Sequence, residues 1–179
     1  MLAGNHDVAN LERGHLASLF GNELPGLERC RGEPLLFLNT ATPRFGDPRG
    51  EVSADQFERI DRAMELDDPV TVFVHHPIHF RDLGDTVWWS ETPEQAFCGN
   101  KEAVCAALES DSVRCVFNGH LHDTDRTRYR GIDHVTVNAF SKETPDLPVT
   151  GTYATVELGE TVEVDVRVGG TSVRRYSIG

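Results

Sequence analysis

The sequence predicts a mixed α/β domain that becomes mostly β in its last third, and three stretches carry that prediction. Val70–Val74 (VTVFV) is a continuous, β-branched run between Pro69 and His75-His76-Pro77, the pattern of a central strand buried on both faces. Behind Ser53, which with Gln56 resembles a capping box, Phe57, Ile60 and Met64 fall at helical spacing. Thr152–Leu158 and Val162–Val168 alternate with period two around Gly159-Glu160-Thr161, as the arms of a hairpin do.

The remaining elements follow in order. Met1–Ala3 reads as the stub of a strand. Gly4-Asn5-His6-Asp7 reads as a strand-to-helix loop, with Asn5 or Asp7 capping a helix over Leu11–Phe20. Pro34–Thr40 is a short buried strand, and Ala41–Gly50, rich in Pro, Gly and Asp, is a loop. The Ser53 helix ends near Asp67-Asp68-Pro69. Phe80–Asn100 is long and irregular, as lids and binding loops are, and holds Trp88, Trp89 and Phe97. Those aromatics suit a pocket wall and a cap on the core equally. Lys101–Glu109 is a helix with Val104, Cys105 and Leu108 on its apolar face, and the strand into Gly119-His120 follows. Arg128–Asp133 is a turn region, His134–Asn138 an alternating strand, and Val173–Ile178 a further strand.

The chain of 179 residues is long enough for one domain with a real core, spanning 1–179. Its net charge of −12 argues against passive binding to a nucleic-acid backbone or an anionic membrane surface. The four cysteines show no CxxC spacing and read as reduced packing residues. No apolar run approaches transmembrane length and no signal-peptide pattern opens the chain, so a cytoplasmic protein is expected.

Three polar clusters sit where strands would end: Gly4-Asn5-His6-Asp7, His75-His76-Pro77 and Gly119-His120-Leu121-His122. On extended chain His120 and His122 point the same way, and Gly119 permits a sharp turn beside them. His75 and His76 point oppositely, so one of them faces the common centre. His79 reads as a loop or packing residue. Each motif alone has a bland reading as a helix cap or surface histidines. Six of the eight histidines nevertheless fall in or beside these clusters, as ligands of a mixed nitrogen and oxygen metal site would.

The ordered set GNHD, HHP and GHLH resembles the calcineurin-like metallophosphoesterases, and LNTATPRFGDPRGEVSADQF between the first two also looks like family sequence. The resemblance covers nearly the whole chain. It implies a two-sheet α/β/β/α sandwich flanked by helices. It also implies hydrolysis of phosphoric mono- or diesters, with a lean to diesters, by a hydroxide held between two divalent ions (Mn, Fe, Zn, Ni or Co). By resemblance Asn5, His75 and His120 bind one metal and His122 the other. His6 contacts phosphate and protonates the leaving oxygen, Asp7 orients His6, and His76 lies outside the metal shell. The family's Asp-x-His and Gly-Asp-x-x-Asp motifs do not precede GNHD here. The chain therefore reads as the C-terminal portion of such a domain, truncated at its N-terminus, with reduced metal occupancy and impaired hydrolysis. Its opened sheet edge is expected to invite homo-oligomerisation, and its partner is a small phosphate ester. Two alternatives remain: a non-catalytic remnant acting as a partner-dependent module, and a single-metal protein using His75, His120 and His122.

Overall fold

The computed structural model describes residues 2–10, 15, 18, 26–41, 49–86, 88–140 and 151–179. The regular elements are α1 (Asn5–Asn10), β1 (Leu27–Cys30), β2 (Glu33–Leu38), α2 (Ala54–Met64), β3 (Val70–Val74), α3 (Lys101–Ala107), β4 (Val113–Asn118), β5 (Asp125–Tyr129), β6 (Ile132–Thr136), β7 (Thr152–Leu158), β8 (Val162–Val168) and β9 (Thr171–Ile178). Most of the expected Leu11–Phe20 helix and Ala41–Gly50 loop lies outside the described residues. The expected opening strand is not formed at Leu2 and Ala3, which take no regular structure.

Parallel strands need a covered crossover, and the helices supply it. The first sheet has the order β1-β2-β3-β4-β6-β5. β3 lies in its middle, parallel to both β2 and β4, with four of its five residues buried. One face of this sheet packs Leu36, Leu38, Val72 and Val116 against Ile60 and Ala63 of α2 and Val104 of α3. At roughly 1.5–3 kcal/mol per fully buried aliphatic side chain, this layer is the main source of stability. The opposite face packs Cys115, Phe117 and Val135 against Val162, Val164, Val166 and Ile178 of a second, antiparallel sheet, β7-β8-β9. The hairpin expected from period-two alternation has Leu158 opposite Val162 and Thr152 opposite Val168. The fold is thus the expected two-sheet α/β sandwich, and the described residues supply three of its layers.

Two local expectations are corrected. The Ser53/Gln56 capping box does not form, because Ser53 makes no side-chain cap bond. Gln56 is instead buried at 5% exposure and clamps the end of β2: its Oε1 accepts the Asn39 N–H at 2.7 Å and its Nε2 donates to the Asn39 carbonyl at 2.9 Å. The stretch read as a turn over Arg128–Asp133 is a tight hairpin joining β5 to β6, turning at Arg130 (φ 49°) and Gly131 (φ 82°). β6 begins at Ile132, two residues before the expected start.

Candidate metal centre

Because β3 and β4 run parallel, the segments that leave them emerge at one rim of the sheet. There the Gly119 N–H donates to the His75 carbonyl at 3.2 Å, tying the HHP and GHLH segments together. α1 brings the GNHD segment to the same place: the Asn5 Oδ1 lies 3.1 Å from the His75 Nε2. Gly4 is required by contact, since a Cβ there would sit 2.8 Å from His75 Cε1. Gly50 has the same role for His76, with a Cβ that would sit 2.2 Å from both His76 Nδ1 and the Thr40 carbonyl. Thr40 holds that ring from the other side. Its Oγ1 shares a 2.8 Å hydrogen bond with His76 Nδ1 and accepts the His76 backbone N–H at 3.0 Å.

The result is a knot of three imidazoles. One ring nitrogen each from His75, His76 and His120 lies within 4.8 Å of the other two. Ring centroids are 4.8 Å apart for His75 and His76, 5.2 Å for His75 and His120, and 4.4 Å for His76 and His120. The expectation that His75 and His76 point oppositely fails for a local reason. β3 ends at Val74, so both residues lie in a bend rather than on extended chain. The extended reading of GHLH fails as well: His120 (φ 64°) and His122 (φ 54°) occupy the left-handed region. Such backbone costs on the order of 1–3 kcal/mol per residue and is concentrated at functional sites. His122 is outside the three-nitrogen group and packs its ring 5.7 Å from Trp88, although its charge is felt at both His75 and His120.

Burial keeps the His75 and His120 rings neutral, as metal ligation requires. Desolvation lowers His75 from 6.5 to about 4, against the opposing charge of Asp7. Desolvation, reinforced by His76 and His75, lowers His120 from 6.5 to about 2. The His120 Nε2 is buried with no hydrogen-bond partner among the described residues.

These donors fit one transition-metal ion. Ligand atoms on a tetrahedral ion with bonds of about 2.0–2.1 Å are roughly 3.3 Å apart, so small ring rotations bring the three nitrogens to that spacing. The Asn5 amide oxygen, already beside His75, is positioned as a fourth donor. Among the described residues this is the one group of three or more His, Cys, Asp or Glu side chains able to hold an ion. Cysteine does not compete, because burial pushes the thiols of Cys98 and Cys105 up to about 11 and that of Cys115 up to about 12.

The other expected residues border this knot. His6 is exposed, and the Asp7 Oδ2 accepts the Gly4 N–H at 2.8 Å. Asp123 and Asp125, read from sequence as solvated, lie beside Arg81, at 2.7 Å and 3.8 Å. The long irregular loop caps the core, one of its two expected roles. Trp89 packs on Leu83, Phe97 and Leu121 with its ring 4.8 Å from His120, while Trp88 stays 42% exposed beside His122. Sequence reasoning placed His76 outside the metal shell and did not single out Thr40 or Gly50, which hold its ring.

No protein-family profile and no curated protein matches the chain. Solved structures do. GAP50, described as the anchor in the inner membrane complex of Plasmodium, matches with a TM-score of 0.54 and 11% identity over 82% of this chain. This chain spans about half of that one, 49%. A predicted phosphoesterase from Streptococcus pneumoniae TIGR4 gives a TM-score of 0.34 and 16% identity over 68% of this chain and 88% of its own. A single mutant of Vps29 from Entamoeba histolytica gives 0.35 and 12% over 81% and 99%. No helix of the described residues is long and apolar enough to cross a membrane. What the chain shares with GAP50 is the fold.

Proposed function

We propose that the protein binds a divalent transition-metal ion through His75, His76 and His120, with Asn5 as the oxygen donor, and hydrolyses phosphate esters with it. The observation that carries this reading is the convergence of three imidazoles at the rim of a two-sheet α/β sandwich. The order of GNHD, HHP and GHLH along the chain supplies the reaction class by resemblance. A bound ion would acidify a water and grip phosphate oxygens. His122 would take part in holding a second ion, and His6, exposed beside the knot, would face the leaving group. A second ion also needs a bridging carboxylate, and the described cluster contains none. Turnover by the 179-residue chain is therefore expected to be weak. A second reading, a non-catalytic binding module, is favoured by the shared fold with an anchor protein and rests on analogy of fold.

The test is hydrolysis of bis(p-nitrophenyl) phosphate and p-nitrophenyl phosphate with Mn, Co, Ni or Zn. Turnover that a chelator removes and His120→Ala abolishes supports the enzyme. Stoichiometric metal binding without turnover on any ester assigns the module instead.

A further inference from the structure

The two tryptophans of the chain are adjacent in the long loop and face opposite ways. Trp89 packs inward with Leu83, Ala96, Phe97 and Leu121. Trp88 is 42% exposed, and its ring crosses that of His122 at 5.7 Å and 68°. The surroundings of Trp88 are pinned. Leu83 is buried, and its carbonyl accepts the Thr86 N–H at 2.9 Å and the Thr86 hydroxyl at 2.7 Å. Arg81 pairs with Asp123 at 2.7 Å, which ties the start of the loop to the segment after His122. His122 itself is set by left-handed backbone (φ 54°). An indole gains from burial, and Trp88 forgoes part of that gain on a loop that Trp89 already fastens to the core. Among the described residues five large apolar side chains are more than a third exposed, and Trp88 is the one of them in ring contact with the GHLH segment.

We propose that Trp88 is a platform on which a planar aromatic group of the substrate stacks, so that the site selects phosphate esters carrying a single nucleobase or aryl ring. The proposal rests on the phosphoesterase reading above and adds the substrate class to it. Nucleobase and aryl group share the chemistry that Trp88 recognises, a flat π-face, which sugars and alkyl chains lack. Beside His122, Trp88 borders the space that an ester substituent needs when its phosphate is held at the metal centre. The net charge of −12 limits the ligand from the other side. It repels a polyanion, so one ring with one phosphate group fits and a polynucleotide does not. Trp88 touches the ring and not the reacting atoms, so its effect falls on which ester binds and not on the bond that breaks.

The experiment is calorimetric titration of the zinc-loaded chain with matched phosphate esters. Adenosine 5′-monophosphate is compared with ribose 5-phosphate, and phenyl phosphate with methyl phosphate, with inorganic phosphate as the reference. The ring-bearing member is expected to bind about tenfold more tightly. A preference in the first pair alone assigns a nucleobase, in the second alone an aryl group, and in both pairs either ring. Trp88→Ala should remove the preference and leave ribose 5-phosphate and methyl phosphate bound as before, whereas Trp88→Phe should keep part of it. In the parent protein, which needs no variant, the ring-bearing member alone should quench tryptophan emission. Equal affinities within both pairs, or a preference that Trp88→Ala leaves intact, would overturn the proposal while zinc-dependent binding of inorganic phosphate upheld the phosphoesterase reading. Loss of that inorganic phosphate binding would overturn the reading, and the proposal with it.

Discussion

Lowering the pH should unfold this protein well before its carboxylates protonate, because four buried histidines are held neutral. His75 and His79 are lowered to about 4, His134 to about 3 and His120 to about 2 from an ordinary 6.5. Each binds a proton more readily in the unfolded chain than in the folded one. The stability they represent is therefore complete above 6.5 and is lost as pH falls towards the folded values. Each pH unit below 6.5 costs roughly 1.4 kcal/mol per histidine, so going from pH 7 to pH 5 removes about 2 kcal/mol each. The four together remove up to about 8 kcal/mol, a large part of the roughly 5–15 kcal/mol that holds a typical domain folded. Urea denaturation with a chelator present, at pH 7, 6 and 5, measures this directly. A midpoint that falls steeply over that range is expected, and His134→Phe should flatten the profile by about a quarter. A pH-independent midpoint would refute the claim that these rings are buried and neutral.

Three further perturbations bear on the same architecture. Gly50→Ala puts a methyl group 2.2 Å from His76 Nδ1. It should cost about 1–3 kcal/mol and weaken metal affinity at least tenfold, read by urea midpoint and metal titration. Gln56→Ala strips the part-buried Asn39 N–H and carbonyl of their partners, so a loss of about 1–3 kcal/mol is expected by thermal or urea unfolding. Arg81→Ala breaks a half-exposed pair with Asp123, which should change stability by less than about 1 kcal/mol. The same variant should shift tryptophan fluorescence, because Arg81 tethers the Trp88-Trp89 loop to the segment after His122.

The parts of the fold written as a local period were legible. β3 and the β7–β8 hairpin have the ends expected of them, since burial on two faces and on one face leave different patterns over five to seven residues. β5 escaped because Asp125, Arg126 and Arg128 make it look like a polar turn. Its charges are instead absorbed pairwise, with Arg126 and Arg128 both bonding Asp133. The site was legible as a set of segments, while the direction of each ring was not. GNHD, HHP and GHLH do meet, but the direction in which each ring points depends on bends at residues 75–76 and on left-handed backbone at His120 and His122. No period encodes those. His76 joins the knot because Thr40 and Gly50, distant in sequence, hold its ring there. The ring contact between His79 and His134 was hidden for the same reason, being formed by the segment that leaves β3 and by β6, on the far side of β4.

The most direct test of the account is cobalt(II) titration of the chain followed by its visible spectrum. Occupancy of one tetrahedral site per chain, abolished by His76→Ala and by His120→Ala but preserved in His122→Ala, is the predicted result. Binding that survives His76→Ala and disappears in His122→Ala would contradict it.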